Sequence, residues 1–166
     1  PEVAGLATMG HAERTAAVAV AIARDIGMHP DEVTELEYAS LMHDIGRITL
    51  NEPAILRAGY TDEDLARWGA QIISEAPFLA RVGTLVREQH RPYRSVGEER
   101  DASVPLASKI IKVASAYDQA INDQMLSPLD ALELLHLGST YDYDPEITAS
   151  LRRVISARGD LHPASL

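Results

Sequence analysis

The chain of 166 residues is long enough for one domain that buries a core without covalent staples, and it contains no cysteine, which excludes disulfides and thiolate metal knuckles. Its formal net charge of −10 argues against a general binder of nucleic-acid polymers, because a polyanion is repelled before any specific contact forms. The longest apolar run, residues 16–23, falls far short of the roughly 20 residues of a membrane span, so no membrane contact is expected of this segment, and the cytoplasm is the default compartment.

Apolar residues recur at helical spacing along nearly the whole chain while period-two alternation is scarce, which predicts an all-α, single-domain helical bundle over residues 1–166. The first helix runs from about His11 to Gly27, with Val18, Ile22 and Ile26 on one stripe and Gly27 suited to a C-terminal cap. His11 falls on that inward stripe. Pro30-Asp31 opens a second helix in which Val33, Leu36, Ser40 and His43 follow a core-facing row, and Gly46 is expected to end it.

A short helical turn follows from Asn51-Glu52-Pro53 through Leu56. Thr61, with Asp62, Glu63 and Asp64 in the first turn, then caps a helix to about Ser74. Pro77 starts another, whose Leu79, Val82, Val86 and His90 share a face. Residues 91–103, rich in charge and holding Pro92 and Gly97, form a loop long enough to suggest function. Helices from about Leu106 to Asn122, from Ser127-Pro128 to Leu137 and from Pro145 to Ala157 complete the bundle, and a frayed tail runs on to Leu166. Because the sequence opens with Pro1-Glu2-Val3 and not a methionine, it is expected to be a piece of a longer protein, with fused sensor or regulator domains or a homodimer as associations.

The pair His43-Asp44 sets an imidazole beside a carboxylate inside an apolar helical stretch, an arrangement that is costly to bury without a partner. His11 and His90 fall on apolar faces of two other segments, so three stretches of chain can converge on one point. Two or three imidazoles with a carboxylate suit a divalent transition metal, iron (Fe), manganese (Mn) or zinc (Zn). The same residues also allow a metal-free reading, in which His43, Asp44 and His11 satisfy one another by hydrogen bonds in a polar core network. Arg87, Arg91 and Arg94 cluster around His90 and supply local positive charge for a small anionic substrate in an otherwise acidic chain.

The order His11-x-x-Arg14, His43-Asp44-x-Gly46-Arg47, Pro53-x-Ile55-Leu56, Gly69-Ala70-Gln71-Ile72-Ile73, Pro77-Phe78-Leu79, Val86-Arg87-Glu88-Gln89-His90, Val104 to Ile110, Val113 to Asp118 and Gly138 to Pro145 resembles the HD superfamily of metal-dependent phosphohydrolases, and within it the HD-GYP domains. The resemblance implies a helical bundle holding two or three iron or manganese ions and hydrolysing cyclic di-GMP through a metal-activated hydroxide. It implies His11, His43, Asp44 and His90 as ligands, Asp44 as the catalytic, bridging carboxylate, and Arg47 in the place of a phosphate-contacting lysine, a role its fork can keep.

Several positions depart from the pattern. Leu65, Gln89 and Ser115 stand where the resemblance implies two histidines and an aspartate, Ala7 where some members carry a glutamate, and Arg91-Pro92-Tyr93-Arg94 where the substrate-loop motif belongs. Leucine cannot ligate a metal, and serine and glutamine are poor replacements for carboxylate and imidazole. Asp118, three residues after Ser115 on the same helix face, is expected to lend a carboxylate to a single metal, and Glu88 is a further acid nearby. The preferred expectation is a degenerate signalling, nucleotide-binding or dimerisation module with weak or no hydrolysis, holding one metal or none. The alternative is an active phosphodiesterase with a reduced metal site acting on a cyclic dinucleotide or other phosphoester.

Overall fold

Four helix starts among the described residues are set by capping side chains: His29, Thr61, Ser127 and Asp144. The computed structural model describes residues 10–95 and 97–159. Among them, α1 (His11–Asp25) and α2 (Pro30–Met42) come first, followed by a 3-10 turn at Ile45–Asn51 and then α3 (Pro53–Ala58) and α4 (Asp62–Ser74). A second 3-10 turn at Pro77–Leu79 leads into α5 (Ala80–Arg87), and α6 (Leu106–Asn122), α7 (Pro128–Leu137) and α8 (Pro145–Ala157) follow. Thr61 accepts from the Asp64 amide while Asp64 accepts from the Thr61 amide, closing a capping box on α4, and Ser127 and Asp144 cap α7 and α8 through their side chains. Gly27 adopts φ 76°, where its amide reaches the Arg24 carbonyl and turns the chain out of α1. The only β-bridge among the described residues is an isolated one between Ser139 and Tyr143, so the expected all-α bundle is the one found.

The strongly apolar helix α6 lies at the centre and touches α1, α2, α5, α7 and α8. Its Ile110, Ile111, Val113 and Ala114 are wholly buried against Ile22 of α1, Leu36 of α2, Val86 of α5, Leu135 of α7 and Leu151 and Ile155 of α8. Each such aliphatic side chain contributes about 1.5–3 kcal/mol relative to an exposed one, enough for α6 also to carry the polar residues Ser115, Asp118 and Asn122 along one edge. No described helix is long and apolar enough to cross a membrane.

Two local expectations change. The second helix ends at Met42 instead of continuing to Gly46: His43 is its cap, Asp44 turns at φ −101°, ψ 6°, and the chain re-enters as a 3-10 turn. The cause is tertiary, because Gly46 lies directly against the backbone of α4. A Cβ there would sit 2.0 Å from the Leu65 carbonyl oxygen and 2.8 Å from the Gly69 nitrogen. His90 is not on a helix face, since α5 stops at Arg87 and His90 lies in the turn beyond it. The loop beyond it, residues 91–103, is, as expected, without regular structure among its described residues, and two of its amides are anchored: that of Tyr93 donates to the Asp142 carbonyl at 3.2 Å and that of Arg94 to the Tyr141 carbonyl at 2.9 Å. The expected tail beyond Gly159 and the residues before Gly10 lie outside the described residues.

Candidate metal centre

The first turn of α1 places His11, 4% exposed, against α6. Its Nδ1 is 2.6 Å from Asp118 Oδ2. A carboxylate only accepts, so Nδ1 donates, and a ring carrying one proton then presents Nε2 as a bare lone pair. The end of α2 does the same for His43, whose Nδ1 lies 2.7 Å from the Ser40 carbonyl oxygen. Burial pushes the His43 pKa down, which outweighs the upward pull of Asp44 and the Ser40 bond, so the neutral ring is favoured.

The two Nε2 atoms face a common centre. Asp44 Oδ2 lies 3.6 Å from Nε2 of His43 and 3.9 Å from Nε2 of His11, while Oδ1 pairs with Arg47 Nε at 3.1 Å. The donor atoms of His11, His43 and Asp44 all fall within 4.8 Å of one another. Because α2 ends at Met42, the turn at His43-Asp44 brings two consecutive side chains to one point, which a continuous helix would hold about 100° apart. From the opposite side, Ser115 Oγ stands 3.4 Å from both Nε2 atoms.

This donor set fits one divalent ion. Metal–donor bonds of 2.0–2.1 Å in a tetrahedron separate neighbouring donors by about 3.3 Å, close to the spacings that Asp44 already makes. Two imidazole lone pairs and a carboxylate oxygen also repel one another across the centre, and the single Ser115 hydroxyl proton can satisfy only one of them at a time. A cation resolves that conflict. A second ion does not fit as well, because among these donors Asp44 is the one carboxylate.

The remaining sequence candidates are placed as follows. Asp118, expected as a ligand, stands instead behind His11: Oδ1 accepts from Arg14 Nε at 2.7 Å and Asn122 Nδ2 at 3.0 Å, and Oδ2 accepts from Arg14 Nη2 at 3.0 Å as well as from His11. The reason is the approach of α1 to α6, which puts His11 Nδ1 and the Arg14 guanidinium within hydrogen-bond distance of Asp118. His90 lies outside the three-residue group, half-buried, its pKa lowered by burial and by Lys112 against the opposing fields of Asp62, Asp44 and Glu63.

Arg91 pairs with Glu88 at 2.9 Å and with Asp101, and Arg94 donates to the Thr140 carbonyl at 2.6 Å and stacks on Tyr141. A phosphate would have to compete with those partners. Arg87 is exposed in the last turn of α5. Leu65 is core, and Gln89, 2% exposed, donates its amide to the His43 carbonyl at 2.9 Å. Sequence reasoning missed the parts played by Arg14, Asn122 and Ser40. Arg14 and Asn122 lie one helical turn from His11 and Asp118, a spacing that could have signalled them.

Residues 8–120 match the profile of the HD domain family. The chain belongs to that family. As an HD domain it is 28% identical over 131 residues to the cyclic di-GMP phosphodiesterase response regulator RpfG of Xanthomonas campestris, covering 69% of this chain and 34% of that protein. It is 27% identical over 127 residues to a cyclic di-GMP phosphodiesterase of Thermotoga maritima, again 69% of this chain and 34% of the relative. A 3'3'-cGAMP-specific phosphodiesterase 3 of Vibrio cholerae aligns at 25% identity over 92% of this chain and 36% of its own length. The HD domain thus spans about a third of the length of these relatives. The crystal structure of a Vibrio cholerae cyclic GMP-AMP-specific phosphodiesterase, V-cGAP3, shares the fold at a TM-score of 0.71 and 16% identity, covering 91% of this chain and 45% of that one.

Proposed function

We propose that this HD domain binds one divalent transition metal, iron, manganese or zinc, through His11 Nε2, His43 Nε2 and Asp44, and uses it to engage a phosphoester of the cyclic dinucleotide class with weak or no hydrolysis. The observation that carries this reading is the Ser115 hydroxyl, 3.4 Å from both ring nitrogens at a position where the chemistry of a two-ion centre would call for a carboxylate. With Asp44 the sole carboxylate among the converging donors, two divalent ions would face each other with one negative charge between them, and repulsion favours single occupancy. The Gln89 amide is committed to the His43 carbonyl, and Leu65 adds only apolar surface.

When bound, the ion would supply Lewis-acid polarisation of a phosphoryl oxygen. The chain's own residues do the rest. Asp44 anchors the site at its open edge, being 22% exposed while both histidines are buried. Arg47, paired with Asp44 at 3.1 Å, is the cation placed to meet a phosphate arriving there. The substrate class follows the relatives, whose names specify cyclic di-GMP and 3'3'-cGAMP. A role inside a larger cytoplasmic signalling protein, as a dimer or beside a sensor domain, is part of the same proposal and rests on the greater length of those relatives.

A second reading, an active phosphodiesterase with a reduced one-metal site, is favoured by the preset tautomers: Asp118 and the Ser40 carbonyl each hold a ring with Nε2 toward the centre. Elemental analysis of chelator-free protein, with turnover assays on cyclic di-GMP and a generic phosphodiester in manganese, iron and zinc, separates the two. Stoichiometric metal without turnover supports the binding module. Turnover lost in Asp44→Ala supports the enzyme, and protein that takes up no metal overturns both.

A further inference from the structure

Asp118 is 5% exposed and carries a dense set of donors for a residue outside the metal group. His11 Nδ1 lies at 2.6 Å, Arg14 Nε at 2.7 Å, Arg14 Nη2 at 3.0 Å and Asn122 Nδ2 at 3.0 Å. Arg14 and His11 share α1 while Asn122 lies on α6, so the carboxylate is fixed from both helices. The consequence appears on the far side of the His11 ring. Without an acceptor at Nδ1, the imidazole could place its proton on Nε2, where Ser115 Oγ at 3.4 Å would receive it. A ring in that state has no lone pair at the centre.

Resting on the metal reading above, we propose that Asp118 is a positioning residue that fixes His11 as its Nδ1–H tautomer and makes Nε2 the ligand atom, with Arg14 and Asn122 holding the carboxylate in register. It touches neither the ion nor the substrate. The two imidazoles are then held differently, His43 by a neutral carbonyl and His11 by a charged carboxylate. Loss of Asp118 therefore changes the tautomer first and the metal affinity through it.

The test uses the full chain. Long-range 1H–15N spectra without metal report which nitrogen of His11 is protonated, and zinc competition against a chromophoric chelator reports affinity. Wild type is expected to show Nδ1–H. Asp118→Ala is expected to move the proton to Nε2 and to weaken zinc by about 10–100-fold. Asp118→Asn, whose side-chain oxygen still accepts, is expected to keep the tautomer and lie between the two in affinity.

An unchanged tautomer with wild-type zinc affinity in Asp118→Ala overturns the proposal. If circular dichroism shows that variant unfolded, Asp118→Asn decides: Nδ1–H with weakened zinc supports the proposal, and loss of Nδ1–H or wild-type affinity overturns it. A folded wild type that binds no zinc sinks the metal reading, while the tautomer comparison still decides what Asp118 does.

Discussion

Gln89 donates its side-chain amide to the backbone carbonyl of His43 at 2.9 Å, tying the turn after α5 to the end of α2. Both residues are buried. This bond gives the glutamine a structural task beside the candidate metal centre, and it makes the His43-Asp44 turn depend on a residue 46 positions away.

Gln89→Ala should therefore destabilise the domain by about 1–3 kcal/mol, the cost of leaving a buried carbonyl without its donor. Urea unfolding measures it. A midpoint equal to wild type would show that the bond contributes nothing to stability.

Gly46→Ala should act on fold and metal together. The added Cβ would fall 2.0 Å from the Leu65 carbonyl oxygen, against backbone that cannot rotate away, so α4 and the 3-10 turn must separate. Overpacking of this kind costs about 1–3 kcal/mol or more. Because Asp44 lies two residues earlier, zinc affinity should fall with the melting temperature. A variant with both values intact would contradict the close approach.

Asp44→Asn keeps the shape of the side chain and removes its charge. Metal content should drop well below one ion per chain, a larger loss than the about 10–100-fold expected for an orienting residue. Metal content by mass spectrometry that matches wild type would remove Asp44 from the ligand set.

Acid stability should depend on Asp25, which joins α1 to α8. Its Oδ2 accepts from Ser150 Oγ at 2.6 Å and from Arg153 Nη2 at 2.6 Å, and the Arg153 bond followed by that of Ser150 lowers its pKa from the ordinary 3.8. A depressed folded-state pKa stabilises the fold above the unfolded value and is lost as pH falls through the folded one. Asp25→Asn should thus melt below wild type at neutral pH, with the gap closing only below about pH 3.8. A gap that persists unchanged at lower pH would refute the linkage.

Much of this architecture can be read from the sequence, and the exceptions share a cause. Thr61, Ser127 and Pro145 mark helix starts through local chemistry, so α4, α7 and α8 fall where expected. His11 and His43 face inward because apolar periodicity carries them there, and the convergence with Asp44 follows. The end of α2 was not legible, since it is set by contact of Gly46 with Leu65 and Gly69. The place of Asp118 was equally hidden: its residue type fits a ligand, and only the approach of α1 to α6 turns it toward His11 and Arg14. The loop arginines follow the same logic, as the carboxylates of Glu88 and Asp101 hold Arg91 and the Thr140 carbonyl holds Arg94.

His11 and Asp118, the two ends of the dyad behind the candidate metal centre, are separated by 107 positions in the chain. An ion captured there would act as a clasp on the whole topology: a nascent or partly unravelled chain holds the donors too far apart to grip it, whereas the closed bundle gains stability in proportion to the logarithm of free-metal concentration. Loading then reinforces a fold that already stands, and metal scarcity would be felt first as fragility of the scaffold.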